Sequence, residues 1–312
     1  MTKNENKLNQ VDKNLLDKVL DKDIEKSEVY NIRKNGKSVE RKTNENIDII
    51  SKNDGTGIDV IVKENTAFGV VDIPVIITES GLNDVVYNDF YIGKNANVTI
   101  VAGCGIHNCG NEATEHDGIH RFFIDEGAKV KYVEKHYGNG DGKGSKILNP
   151  VTEVYMKKDS IMQMDTVQIK GVDEATRTTK AELDAGANLV ITEKIMTDKK
   201  QNAVTNFFVN LNGEDAKTHV TSRSIATDHS FQEFRSNLVG NDKCFAHVEC
   251  DAIIMDKGQV KAIPEIFAKN VDAQLIHEAQ IGKIAGEQLI KLMSLGLSEK
   301  EAEKAIINGF LS

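Results

Sequence analysis

Tryptophan is absent from this chain of 312 residues, proline occurs three times, and aromatic residues make up only 5% of it. With so little proline a collagen-like chain is excluded, and with so few rings a sugar-binding groove paved with aromatics is disfavoured. Four cysteines are too few to staple a chain of this length, so it folds on its core. In a reducing compartment they are free thiols, in two close pairs, Cys104 with Cys109 and Cys244 with Cys250. Long apolar runs are missing as well. The longest, such as VVDIPVIIT, is far too short to cross a bilayer. The N-terminal MTKNENKLNQVDKN has no apolar signal core, so a cytoplasmic protein is expected. Basic charge is in deficit too: the net charge is −9, which disfavours nucleic acid and anionic membrane as partners.

What is present is enough apolar sequence, 39%, to fill the core of one large domain with appendages, or of two domains. Three regions are expected. Residues 1–45 form a charged N-terminal helical and polar segment, in which Leu15, Leu16, Val19 and Leu20 fall at helical spacing. A solvated arm packed loosely on the body is the plainer reading of the same charge pattern. From about residue 46 to 280, short runs rich in Val, Ile, Thr and Phe alternate with polar residues and are cut by Gly, Asn and Asp: VIVKE, VVYNDFYIG, VTIVAG, KVKYVEKHYG, MQMDTVQIKG. Residues 281–312 return to helical spacing, with Ile284, Leu289, Leu292 and Met293 on one face, a stop at Gly296, and a capping box from Ser298 to Glu301. Two short amphipathic helices there are expected to cap a solenoid end.

The turns recur. Gly186 to Gly213 and Gly213 to Gly240 are each 27 positions, and one step back lands on Asp159. A period of this length suits one coil of a parallel β-helix, an all-β solenoid whose coils stack on one another. An irregular β-sandwich with coincident turn spacing is the alternative. The insert GNGDGKG at 138–144 reads as a loop projecting from one coil.

Two groups of residues carry chemistry. In the tail, Cys250, His277 and Glu278 offer a thiolate, an imidazole and a carboxylate, three side-chain classes that bind iron or zinc. Cys244 and His247 share the segment of Cys250 at three-residue steps, as auxiliary ligands or simply as inward and outward strand residues. Earlier, GCGIHNCGNEATEHDGIH supplies Cys104, His107, Cys109, His116 and His120 within seventeen residues. Glycines 103, 105, 110 and 118 read as tight turns that bring these metal-ligand candidates together. The alternatives are plain: buried thiols as small apolar fillers, and histidines as hydrogen-bonded structural residues.

The combination of Cys250-Asp251, Pro264 with Glu265, His277-Glu278-Ala279, Gly282-Lys283-Ile284, Glu287-Gln288-Leu289, Gly296, Glu301-Ala302 and Gly309-Phe310, spread in order over residues 95–312, resembles the SufB/SufD core proteins of the SUF iron–sulfur cluster assembly system. The resemblance implies a right-handed parallel β-helix with a small C-terminal helical domain. It implies a scaffold, not an enzyme: a dimer that builds a transient iron–sulfur cluster from iron and a sulfur donor and passes it to apoproteins. It implies a SufC-like ATPase docked on the C-terminal helices, since no GxxxxGK[ST] loop occurs in the chain. Cys250 matches the SufB cysteine of the nascent cluster, His277 the histidine near the dimer interface, and Glu278 the carboxylate that follows it. Two positions depart from the pattern. Ile276 stands where SufB is acidic, and Asp125 aligns loosely with the SufB cysteine that first receives sulfur. The departures point to the reduced two-component version, a homodimer with SufC. The rivals are a β-helix polysaccharide lyase or hydrolase, and a structural β-helix that binds a partner through its helices.

Overall fold

The computed structural model describes residues 8–20 and 27–311; residues 1–7 and 21–26, part of the expected N-terminal arm and polar joint, lie outside the described residues. The chain winds as a parallel β-solenoid whose wall is two ten-stranded sheets. One sheet contains β1 (Tyr30–Lys34), β2 (Lys37–Lys42), β5 (Gly69–Ile77), β7 (Asn97–His107), β9 (Lys129–Asn139), β12 (Ile161–Ile169), β14 (Asn188–Thr197), β16 (Lys217–Ala226), β18 (Phe245–Ile254) and β20 (Gln274–Gly282). The other contains β3 (Ile47–Ser51), β4 (Gly57–Val62), β6 (Asn83–Ile92), β8 (Thr114–Ile124), β10 (Lys146–Leu148), β11 (Val151–Met156), β13 (Glu174–Leu183), β15 (Asn202–Leu211), β17 (Phe231–Gly240) and β19 (Gln259–Ala268). Helices α1 (Gln10–Leu20), α2 (Gly286–Ser294) and α3 (Glu299–Phe310) stand at the two ends of the chain. Alternate residues of each strand face the lumen, where Val, Ile, Leu, Phe and Met stack into one continuous core.

The coils are less regular than the glycine spacing implies. Ile161 pairs with Asn188, 27 positions on, but Asn188 pairs with Lys217 at 29 and Asn97 with Lys129 at 32. Gly240 pairs with Leu211 and not with the glycine 27 residues before it. The element that does recur is a left-handed turn residue in register, at Asn65, Asn95, Gly127, Asp159, Gly186 and Asp215, all with φ between 56° and 68°. Asn, Asp and Gly are the types that tolerate this conformation, so a ladder of mixed residues is invisible to a search for glycine alone. The insert at 138–144 does not project. Its backbone lies on the loop of the preceding coil, Gly142 N–H donating to the Asn108 carbonyl and Gly144 N–H to that of Gly110.

The segment expected as a polar joint after α1 contains strands. β1 and β2 form an antiparallel hairpin and β1 joins the first sheet beside β5, while β3 folds back antiparallel on β4. At this end both sheets finish in antiparallel pairs, with β2 and β3 as their edge strands. Helix α1 is docked, not loosely attached: Leu15, Leu16 and Val19 are buried, each contributing about 1.5–3 kcal/mol of apolar burial. It sits on the outer face of β7, where Gly103 and Gly105 leave room; a Cβ on Gly103 would lie 2.6 Å from Val19 Cβ. These two glycines, and Gly118 within β8, are therefore strand residues and not turns.

At the other end the last coil stays open. Helix α2 buries no residue, and Ile290, Met293 and Leu295 are exposed. Helix α3, capped by the expected box at Ser298 and Glu301, reaches the solenoid through Arg223 Nη1, which donates to the Phe310 carbonyl at 3.3 Å. The inward residues Val260, Ala262 and Leu275 are only partly buried. The two helices therefore do not cap the lumen.

Candidate functional site

Strand parity sorts the residues of the tail. On β18, Ala246, Val248, Cys250 and Ala252 face the lumen, and His247, Glu249 and Asp251 face outward. Parallel register places Val248 beside His277 and Cys250 beside Ala279. Cys250 and His277 are thus inward diagonal neighbours on adjacent strands, whereas Glu278 points out of the wall. There its Oε2 lies 3.7 Å from His247 Nε2, an ion-pair distance and not a hydrogen bond. His247 packs its ring against His219, with centroids 5.0 Å apart. Cys244 precedes β18 and is buried in the core. The structure brings together Cys250 with His277, and His247 with Glu278, on opposite faces of one sheet.

Cys250 is buried, and burial first, then the carboxylates of Glu193 and Asp251, push its thiol up to about 12. At neutral pH it is a protonated thiol. His277 Nδ1 lies 3.3 Å from Ser236 Oγ, and its Nε2 is buried without a hydrogen-bonding partner. Burial and the nearby His247 lower its pKa, which favours the neutral imidazole in the wall of the last coil. The Asp251 carboxyl is pushed up by burial and by Glu249 beside it on the outer face.

Behind Cys250 the lumen carries a polar track that reading the strand texts one at a time missed. One inward row runs Glu134, Thr166, Glu193, Ser222, Cys250, Ala279 across successive coils. Arg177, facing it from β13, contacts Glu134 and lies 3.5 Å from Glu193. Ser222 and Thr205 donate to the two oxygens of Glu193 at 2.8 and 3.0 Å. Burial opposes ionisation of Glu134, but Arg177 and His136 overcome it and hold the carboxyl well below its usual range. For Glu193 burial wins and the pKa rises. The signal was legible: an ionisable residue at an inward slot of an alternating strand, as in Val130-x-Tyr132-x-Glu134-x-His136, has no bland packing role.

The earlier cluster splits by the same parity rule. Cys104, His116 and His120 point inward and share a cavity of about 20 Å³ with Glu134 and His136. His116 Nδ1 is 3.1 Å from Asp84, and His120 lies between Asn88 and Tyr132 at 3.3 and 2.7 Å. Burial lowers His120 to about 4 and raises the Cys104 thiol well above its usual value. His107 and Cys109 lie apart from these, outside the wall, with Cys109 exposed. Asp125 sits in the exposed turn after β8. Among the described residues no group of three or more His, Cys, Asp or Glu side chains is placed to hold a metal ion.

Comparison with known proteins adds to this geometry. The SufBD core domain of the SUF system for FeS cluster assembly matches residues 88–310. An iron–sulfur cluster assembly SufBD family protein of Methanocaldococcus jannaschii is 27% identical over 240 residues, covering 75% of this chain and 74% of the relative. One of Archaeoglobus fulgidus is 30% identical over 234 residues, 72% of this chain and 60% of the relative. The iron–sulfur cluster assembly protein SufB of Bacillus subtilis is 43% identical over a shorter stretch of 67 residues, 21% of this chain and 14% of that protein. The chain thus spans about three quarters of one archaeal relative and less than two thirds of the other.

Proposed function

The chain belongs to the SufBD core family of the SUF iron–sulfur cluster assembly system, and from that premise we propose that it is a homodimeric scaffold, worked by a SufC-like ATPase, on which a cluster is assembled and from which it is released. The observation that carries this reading is the pairing of Cys250 and His277 on one face of adjacent strands beside the open final coil. A thiolate is a soft ligand for iron, and an imidazole is a weaker one that lets its cargo go. Cys250 must first lose a proton that burial holds on, so iron loading releases a proton and is favoured as pH rises. Glu278 lies on the outer face beside His247 and would take part from there as the end coil is remodelled. Cys104, His107, Cys109, Cys244 and His247 remain outside this minimal ligand set.

The open end is what recommends a second copy as partner. β19 and β20 each end a sheet with one edge unpaired, and Ile266, Phe267, Ile276 and Ile281 are exposed on them. Such edges pair with other strands unless covered, and a two-fold arrangement would bring two Cys250/His277 pairs near one axis. Exposed Ile290, Met293 and Leu295 of the C-terminal helices offer the ATPase an apolar contact. Sulfur donor and acceptor apoproteins complete the partners, and the work is placed in the cytoplasm. Anaerobic incubation of the purified protein with ferrous iron and sulfide tests the reading by absorption and Mössbauer spectroscopy. A cluster signature bound in stoichiometric amount is expected; a colourless, iron-free product would overturn it.

A further inference from the structure

At the outer edge of the wall, where β7 and β9 end, three side chains form a connected set that the scaffold reading does not use. His107 and Asn139 are register partners. Asn139 Oδ1 lies 2.7 Å from His107 Nδ1, and His107 Nε2 lies 3.1 Å from Cys109 Sγ. An amide oxygen accepts, so it fixes the ring proton on Nδ1 and leaves the Nε2 lone pair facing the thiol. That is the order thiol, base, orienting amide of the Cys-His-Asn nucleophilic sites. Position supports the same reading. Unlike Cys104, Cys244 and Cys250, which are buried, Cys109 is exposed to reagents. Its loop is held firmly: Asn108 Nδ2 donates to the carbonyls of Glu112 and Gly144, and Gly110 N–H donates to Asn108 Oδ1. The charged groups of this loop and of the loop stacked on it are Glu112, Asp141 and Lys143.

We propose that Cys109, with His107 as its base and Asn139 as a positioning residue, is a nucleophilic thiol that takes up sulfane sulfur from a persulfide. The choice of substrate class rests on the scaffold reading, since a growing cluster needs sulfur delivered on a carrier; the nucleophile itself rests on the geometry alone. The Cys109 proton passes to His107 Nε2, and the thiolate attacks the terminal sulfur of R–S–SH. The new Cys109 S–S bond forms as the donor's S–S bond breaks. The leaving thiolate takes the proton back from His107, giving Cys109–S–SH and R–SH with no net oxidation or reduction.

The test uses the full chain and two measurements. Iodoacetamide alkylation of Cys109, followed by peptide mass spectrometry from pH 5.5 to 9, is expected to be about 10-fold faster at pH 7 than in His107→Ala. Asn139→Ala should fall between them with a shifted pH profile, and Asn139→Asp, which still accepts from Nδ1, should restore the fast rate. Glutathione persulfide should then add the mass of one sulfur atom to the Cys109 peptide in the wild type and far less in His107→Ala. Alkylation at the rate of an ordinary thiol in all variants, or sulfur loading that ignores His107, would overturn the proposal. A chain that loads sulfur on Cys109 but assembles no cluster would uphold this site and instead count against the scaffold reading.

Discussion

At Cys250 the proposed ligand role and the packing role pull in opposite directions. The side chain fits a buried slot between Ser222 and Ala279, and the same burial keeps it protonated. Cys250→Ser conserves the shape and places the new hydroxyl beside Ser222, so stability should change by less than about 2 kcal/mol. Cluster reconstitution should nevertheless be lost, because a hydroxyl is a poor ligand for iron. A folded Cys250→Ser protein that reconstitutes normally would remove this residue from the site. At His120, a ligand candidate whose alternative is a structural role, the ring sits in the lumen between Asn88 and Tyr132. Its pKa is about 4 in the folded chain against 6.5 ordinarily, so between those values the unfolded chain binds a proton that the folded one refuses. Its contribution is complete above about pH 6.5 and is lost as pH falls toward 4, a difference of about 3 kcal/mol. His136 shifts in the same direction, and Glu193, with a raised pKa, opposes it over the lower part of this window. Urea unfolding at pH 7 and 4.5 should show a smaller loss on acidification in His120→Gln than in the wild type; an equal loss would assign the acid sensitivity elsewhere.

The elements were legible in proportion to how local their causes are. Alternation in KVKYVEKHYG or SNLVG is written residue by residue, so the strands and their solenoid stacking could be read directly. The capping box at Ser298 and Glu301 is equally local. Coil length was misread because the turn ladder is built from backbone conformation, which Asn, Asp and Gly share, and not from one residue type. The glycines at 103 and 105 were misread for a different reason: what they accommodate, Leu15 and Val19, is more than eighty residues away. That contact makes a prediction. Gly103→Ala should destabilise the docking of α1 by about 1–3 kcal/mol and make the N-terminal segment more susceptible to proteolysis, and Val19→Gly, which removes the clashing Cβ, should give a double variant less destabilised than the sum of the two single losses. Additive losses would mean that the two positions do not touch. At the opposite end, truncation before Gly282 removes α2 and α3, which shield little of the solenoid. The shortened chain should stay folded but no longer co-purify with a SufC-like ATPase, and retained binding would put the docking surface on the coils.

For the molecule as a whole, the decisive asymmetry is in what lies beside its two ends. Both sheets finish in edge strands at each end, antiparallel β2 and β3 at one and parallel β19 and β20 at the other, but only the second lies beside Cys250 and His277. The strand parity that joins these two residues also separates them from Glu278, so a site using all three needs the end coil to move or a second chain to supply what the first cannot reach. The proposed homodimer, if closed through these ends, would supply two copies of each residue about a two-fold axis, and a modest rotation of the subunits would open or shut the space between them. Neutral imidazole is the ligand form, and burial already favours it at His277, so metal binding should weaken only under acid conditions, below the ordinary histidine range. The sharing of ligands can be tested by complementation. Cys250→Ser and His277→Ala are each expected to be inactive in cluster assembly. After subunit exchange, mixed dimers hold one intact cysteine on one chain and one intact histidine on the other. Partial recovery of cluster formation is expected if the site lies across the interface. No recovery despite proven exchange, shown by isolating dimers carrying two different tags, would mean that each site draws its ligands from a single chain or needs all four residues together, and would overturn the shared site in this form.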